Sequence, residues 1–284
     1  MRESFKAFAK INISLDVVGK REDGYHNLQT IMQSISLHDR VTIDTSFEGI
    51  RIKTNLSYLP CDRRNIAFKA AELFFDAAGV SPCADIYIDK KIPMGAGLGG
   101  GSSDAAAVLL GLNKMFGYPI PSDKLEKIGL SCGADVVFCM RGKTHLAEGV
   151  GEILTPLPPL PKCFIVIIKP SMSISTKTVF QGFSLDTCDY HPDTEGIIKS
   201  LENGDISGVS IRAFNVLEKA VEPRYKDLPL YKSELLSFGA LGSCMSGSGS
   251  SVFGIFSSKD DAQRAVNHFK KTYKTFSFLA EPVS

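Results

Sequence analysis

The sequence predicts an α+β chain, and three observations carry that expectation. Short apolar stretches with strand-like alternation recur in both halves of the chain, separated by longer stretches with helical spacing. No internal repeat is evident, which sets aside solenoids and propellers. The stretch "TPLPPLPK" carries prolines at 156, 158, 159 and 161. Such density can continue neither a helix nor a central strand, so it reads as a stiff connector. At 284 residues the chain is long enough for two domains, and the connector divides it into 1–158 and 159–284.

From Lys10 to Val17 the residues alternate: Ile11, Ile13, Leu15 and Val17 on one face, Lys10, Asn12, Ser14 and Asp16 on the other. "GKREDGYHN" follows as a polar loop, and strands are expected near 28–37, 40–45 and 49–54. Asn65 is a plausible N-cap for a helix that stops at Gly79. "ADIYIDKKI" is a strand leading into a glycine-rich stretch, after which Ser102 or Ser103 can cap an alanine-rich helix. Ser122 starts another helix, and "ADVVFCM" and "GKTHLAEG" read as two strands joined by a turn. Beyond the prolines come a buried strand "CFIVIIKP", several helices up to about 238, a strand-loop-strand "LGSCMSGSGSSVFGIF", a helix near 259–272 and a final strand.

Composition narrows the function. The chain is 44% hydrophobic and 22% charged with a net charge of +1, which argues against a dedicated nucleic-acid or anionic-membrane binder. Seven cysteines at 61, 83, 132, 139, 163, 188 and 244 include no CxxC pair, and no HExxH occurs. Neither a disulfide framework nor a zinc site is suggested. No signal-peptide pattern opens the chain, and runs such as "CFIVII" are far too short to span a bilayer. The expectation is a reduced, cytoplasmic protein with a small-molecule substrate, no nucleic acid and no membrane; monomer or homodimer stays open.

Five of the seven residues from Gly95 to Gly101 are glycine, followed by two serines, an aspartate and helix formers. "GAGLGG" satisfies G-x-G-x-x-G, but a dinucleotide fold needs a strand ending in an acid one helix later. Here that place holds "YPIPSDKLEKIGL", a turn and a helix. The P-loop pattern GxxxxGK[ST] is missing, and neither DFG nor HRD occurs. What remains is a lysine-free phosphate cradle: glycines expose main-chain N–H groups, and the helix that follows adds its electropositive end. The plainer alternative is a glycine-rich turn required for close packing.

The strand carrying Lys10, then "PMGAGLGGGSSDAA", "GADV" and "MSGSGSSVF", closely resembles the GHMP kinase superfamily. The expanded "GLGGGSSDAA" resembles members that act on a cytidine-diphosphate-linked alcohol. "AKINISLDVVGKREDGYHNLQT", "DRRNIAFKAA", "LSCGADVVFCMRGKTHLAEGVGE" and "SISTKTVF" agree, so the resemblance spans essentially the whole chain. Departures at Val137, where proline is usual, at Val150 and at Ser250-Ser251 remove no residue with a proposed chemical role.

The resemblance implies a two-domain fold, an N-terminal ribosomal-protein-S5-like domain and a C-terminal ferredoxin-like α/β domain with the active site in the cleft between them. It implies ATP and Mg2+ as cofactors, with no residue assigned as a metal ligand. Asp135 matches the catalytic aspartate and Lys10 the catalytic lysine, whose ammonium would keep the carboxylate ionised. Pro93, Met94, Gly95, Ala96, Gly97, Leu98, Gly99, Gly100, Gly101, Ser102 and Ser103 match the ATP-phosphate site. Asn65 matches part of the adenosine pocket, with helix capping an equally good account. Asn12 and Thr176 match substrate contacts, Tyr25 and Phe180 base-stacking positions, and His26 a residue that hydrogen-bonds the base. Asp104 stays open between a water-mediated contact to magnesium and complementing the helix dipole. An oxidoreductase, kept alive by G-x-G-x-x-G, and an RNA-binding module sharing the S5-like core are the competing classes. A kinase of another small alcohol, such as homoserine or mevalonate, is the competitor within the superfamily.

Overall fold

The computed structural model describes residues 1–22, 24–185, 190–223 and 225–284; Cys188 lies outside them. In chain order the elements begin β1 (Arg2–Lys20), β2 (His26–Asp44), β3 (Gly49–Thr54), α1 (Ile66–Ala78), β4 (Cys83–Asp89), α2 (Gly100–Met115), α3 (Ser122–Cys132) and α4 (Ala134–Arg141). They continue with β5 (Thr144–Gly149), β6 (Ile153–Pro156), β7 (Phe164–Lys169), α5 (Thr176–Gly182), α6 (Thr194–Glu202) and α7 (Ile206–Ile211). The last are β8 (Phe214–Asn215), α8 (Glu218–Val221), α9 (Asp227–Ser237), β9 (Gly242–Met245), β10 (Val252–Phe256), α10 (Lys259–Thr272) and β11 (Phe276–Ala280). No helix among the described residues is long and apolar enough to cross a membrane. Cys61, Cys83, Cys132, Cys139, Cys163 and Cys244 are free thiols.

Two compact units are drawn from interleaved stretches: 1–9, 37–92 and 99–142 form one, and 10–36, 93–98 and 143–284 the other. The prolines divide the chain once, whereas these units exchange the chain several times. The proline stretch itself sits inside the second unit, where Leu157 N–H donates to the Thr144 carbonyl and Leu160 N–H to Thr144 Oγ1.

In the first unit, β4 runs parallel to β3 and pairs antiparallel with Arg40–Asp44 of β2. The apolar stripe of α1, Ala67, Ala70, Ala71, Phe74 and Phe75, is buried, and its spacing is that of one helical face. Asn65 Oδ1 accepts Ala67 N–H at the start, and Gly79 closes the helix at φ +67. The alanines of α2 let it lie close: at Gly111 a Cβ would come within 2.7 Å of the Phe5 ring and 2.9 Å of Ile43. Two expectations are corrected here. "ADVVFCM" is helix α4, with Val136, Val137 and Phe138 buried. The strands expected near 28–37 and 40–45 are one continuous strand, β2.

In the second unit a four-stranded antiparallel sheet, order β11-β7-β10-β9, carries a core of Val166, Ile168, Val252 and Phe256 under Ala262, Val266 and Phe269 of α10. The first half of β2 pairs with β5, and β1 runs parallel to β8 at Ser14–Leu15. On β1 the apolar face is buried as the alternation predicts, yet Lys10, Asn12, Ser14 and Asp16 are each at most 5% exposed. Their face is polar without being solvated. Burial of a lysine and an asparagine side by side is costly unless each polar atom is paired, so this strand carries more than a surface ladder.

Candidate active site

Within the second unit, 93–98 lies against the turn 246–251, backbone on backbone. Ser246 Oγ donates to the Gly97 carbonyl at 2.9 Å, and Ser251 N–H to the Ala96 carbonyl at 3.2 Å. Ala96 and Leu98 are buried, while Met94 and Gly95 are exposed. At Gly97, φ is +73 and a Cβ would fall 2.0 Å from the Ser246 carbonyl oxygen. Only glycine fits. For this glycine the close neighbour is therefore another stretch of the protein, as the plainer alternative held. The turn 246–251 braces the glycine-rich stretch.

β1 joins the same arrangement. Lys10 N–H donates to the Leu98 carbonyl at 3.0 Å, and Asn12 N–H to Ser246 Oγ at 3.3 Å. Lys10 Nζ donates to Asn12 Oδ1 at 2.7 Å, and Asn12 Nδ2 to Thr30 Oγ1 at 2.8 Å. The buried ammonium and amide are thus oriented by one another. His26 and Phe180 stack, ring centroids 5.3 Å apart and 27° between planes. Tyr25 stands 66% exposed in the preceding turn, and Thr176 Oγ1 shares a hydrogen bond with Ser248 Oγ at 2.8 Å.

In the first unit the helix start differs from expectation. The N-cap of α2 is Gly99, at φ 69, with no side chain capping the helix. Ser103 cannot cap, because its N–H already donates to the Gly99 carbonyl and its hydroxyl to the Phe8 carbonyl. The first N–H groups of a helix have no partner within it, so Gly100, Gly101 and Ser102 present donors at an electropositive end. Gly101 is exposed and Ser102 half-buried. Asn65 is engaged at both ends of its amide, accepting from Ala67 N–H and donating to the Pro60 carbonyl at 3.0 Å. Asp135, half-buried, lies in the first turn of α4.

The comparisons with known proteins point one way. Residues 65–143 match the family profile described as GHMP kinases N terminal domain, and 197–275 the one described as GHMP kinases C terminal. A 4-diphosphocytidyl-2-C-methyl-D-erythritol kinase of Clostridium novyi (strain NT) is 46% identical, over 95% of this chain and 96% of its own length. One from Lachnoclostridium phytofermentans is 45% identical, over 94% of this chain and 92% of its own. The chain belongs to the 4-diphosphocytidyl-2-C-methyl-D-erythritol kinase family. A crystal structure of 4-(cytidine 5'-diphospho)-2C-methyl-D-erythritol kinase superposes with a TM-score of 0.86 at 33% identity, covering 99% of this chain and 100% of that one. Homoserine kinase from Cytophaga hutchinsonii, with a TM-score of 0.77 at 22% identity over 100% of this chain and 95% of that one, shares the fold.

Around this family's glycine-rich stretch stand residues that sequence reasoning missed. Asn215 is fully buried and its Nδ2 donates to the carbonyls of Met245 and Gly247, at 2.9 and 2.7 Å. Glu218 Oε1 accepts Met245 N–H at 2.7 Å while Lys232 pairs with Oε2. Together they fix the turn 246–251 from behind. The signal available in the sequence was "FNVLE", an asparagine and a glutamate three apart in an apolar setting.

In the first unit, Lys90 Nζ donates to Asp39 Oδ2 at 2.5 Å and to Asp104 Oδ2 at 2.6 Å, all three side chains at most 6% exposed. Asp104 lies beyond the first turn of α2 and is committed to this pair. Burial pushes its carboxyl up to about 7, against the pull of Lys90 and with the push of Asp39. Burial draws the Lys90 ammonium down, but the two carboxylates outweigh it and raise it.

Proposed function

We propose that this chain transfers the γ-phosphoryl group of ATP to the 2-hydroxyl of 4-diphosphocytidyl-2-C-methyl-D-erythritol, giving its 2-phosphate and ADP, a step of non-mevalonate isoprenoid precursor biosynthesis. The observation that carries this reading is identity of 45–46% along 94–95% of the chain to kinases named for that alcohol. The likeness to homoserine and mevalonate kinases, at 22% and 16% identity, extends to the fold alone. The reading of two family domains, 1–158 and 159–284, draws support from one matched region in each. A cytoplasmic location fits a soluble substrate of this kind.

Phosphoryl transfer asks for alignment and charge neutralisation. In this reading the stretch 93–103 binds the phosphates through main-chain N–H groups, with Ser102 at its helical end, Ser103 bracing that end through its bonds to Gly99 and Phe8, and Asn65 holding the loop beside the adenosine. The uncapped start of α2 supports it. Asp135 takes the proton of the attacking hydroxyl as the new O–P bond forms and the bond from the γ-phosphorus to the bridging oxygen of ADP breaks. Lys10 neutralises charge on the phosphoryl group, and Asn12, which orients it, contacts the alcohol. Tyr25 and Phe180 stack on the cytosine, His26 hydrogen-bonds its edge, and Thr176 faces the diphosphate. A magnesium ion bound with ATP would supply charge neutralisation for the transferred phosphoryl group.

Release of ADP with the cytidine-linked alcohol, homoserine and mevalonate in parallel tests the substrate. Turnover confined to the first is expected, and indifference to the cytidine moiety contradicts the reading. Asp135→Asn should bind ATP normally and lose about 10²-fold or more in kcat; near-normal turnover removes Asp135 as the base.

A further inference from the structure

The Lys90–Asp39–Asp104 cluster sets two carboxylates against one ammonium in a buried place. The two carboxylates are not equivalent. Asp39 Oδ1 accepts the N–H groups of Lys91 and Ile92, at 2.5 and 2.8 Å, and its Oδ2 accepts from Lys90. Asp39 thus has three donors across its two oxygens. Asp104 accepts from Lys90 alone, and its Oδ1 is buried with no hydrogen-bond partner among the described residues. An ionised oxygen without a donor is the costliest polar atom to bury.

The cluster also grips both sides of the glycine-rich stretch. Asp39 holds the backbone at 91–92, just before it, while Asp104 belongs to α2, just after it. A Cβ at Gly100 would lie 3.3 Å from Lys90 Nζ. The charges acting on Asp104 are those of Lys90 and Asp39. Charged side chains on the neighbouring elements are engaged elsewhere: Lys69 with the Ser131 carbonyl, Glu72 with Arg63, Glu126 with Arg141, and Lys114 with Glu3.

We propose that Asp104 is a positioning residue whose Oδ1 takes up a proton when the triphosphate settles on the start of α2. An empty cluster with both carboxylates ionised has an excess of negative charge beneath the very place where phosphates are to bind. A proton on Asp104 cancels that excess, and a bound anion in turn favours the proton, since linkage is reciprocal. Asp104 acts through the cluster and the helix start, without touching the reacting atoms. The inference rests on reading the start of α2 as the phosphate site.

Calorimetric titration of the full chain with magnesium-saturated ATP, without acceptor alcohol, at about pH 7.5, in buffers of widely different ionisation enthalpy, reads the protons exchanged. The expected result is uptake of a sizeable fraction of a proton, at most about one per ATP. Asp104→Asn should abolish it. Asp39→Asn should too, because Lys90 alone then keeps Asp104 ionised, while an asparagine oxygen can still accept the N–H groups of Lys91 and Ile92. In both variants KM for ATP should lose the rise with pH expected of the wild type above neutrality, with kcat unmoved. Heat independent of buffer in the wild-type protein overturns the inference while leaving the phosphate site standing. Uptake of unchanged size in both variants also overturns it. Failure of ATP to bind at all removes the phosphate-site reading first.

Discussion

Two glycine-rich segments of this chain are braced by buried charge, and the two braces are built differently. Behind the turn 246–251, each oxygen of Glu218 has a donor, Met245 N–H on one and Lys232 on the other, and Asn215 holds the carbonyls of Met245, just before the turn, and of Gly247 within it. Beneath the start of α2, Lys90 is shared by two carboxylates and one oxygen is left without a donor. A balanced pair is scaffolding. An unbalanced cluster still fixes the backbone, but its charge is adjustable, and it sits where an anion is expected. Burial alone therefore does not distinguish a structural ion pair from one coupled to ligand binding; the count of donors against acceptors does.

Removing the cation should expose the difference most strongly. Lys90→Met strands two buried carboxylates and is expected to cost about 3–5 kcal/mol in urea unfolding. Lys232→Met leaves one, still bonded to Met245 N–H, on a lysine whose side chain is 24% exposed, and should cost about 1–2 kcal/mol. Equal losses would mean that the two clusters are alike.

The glycines offer a second contrast. Gly97→Ala drives a methyl group into the Ser246 carbonyl at positive φ, at a cost of about 3 kcal/mol or more. At Gly101 a Cβ meets only Ile66, at 3.4 Å. Gly101→Ala should leave the fold intact or raise its stability by up to about 1 kcal/mol, with any loss confined to ATP affinity. Thermal melting of both variants separates the glycine that packing requires from one that the phosphates require.

Much of this was legible in the sequence. Helix α1 announced both its ends, Asn65 and Gly79, and "LGSCMSGSGSSVFGIF" became strand, turn and strand as its pattern implied. Helix α4 was not legible, because a short apolar run with adjacent valines between two glycines fits either period. The cap of α2 was misassigned for a tertiary reason: the Ser103 hydroxyl is spent on Phe8, far away in the chain. Asp104 stayed open between a magnesium contact and the helix dipole, and Lys90 and Asp39 drew no reading, since nothing local reveals that three separate stretches bury them together. Asn215 was hidden in the same way.

The smallest expected effect is one of slope. The Asp104 carboxyl is raised from 3.8 to about 7 by burial, so the folded chain holds a proton there that the unfolded chain has released. Its contribution to stability is full below about pH 4, falls as pH rises, and is lost above about 7. The melting temperature of the wild type minus that of Asp104→Asn should decline across this window and then level. Lys232 is raised from an already alkaline value, burial being outweighed by Glu218, so its contribution is lost only at alkaline pH.

The account depends most on main-chain N–H groups of 93–103 holding the phosphates of ATP. A crystal structure with a non-hydrolysable ATP analogue tests this directly. The account predicts β- and γ-phosphate oxygens within hydrogen-bond distance of N–H groups at the start of α2, with the γ-phosphorus facing the Asp135 carboxylate. Phosphates bound elsewhere, remote from that helix start and from Asp135, would contradict it.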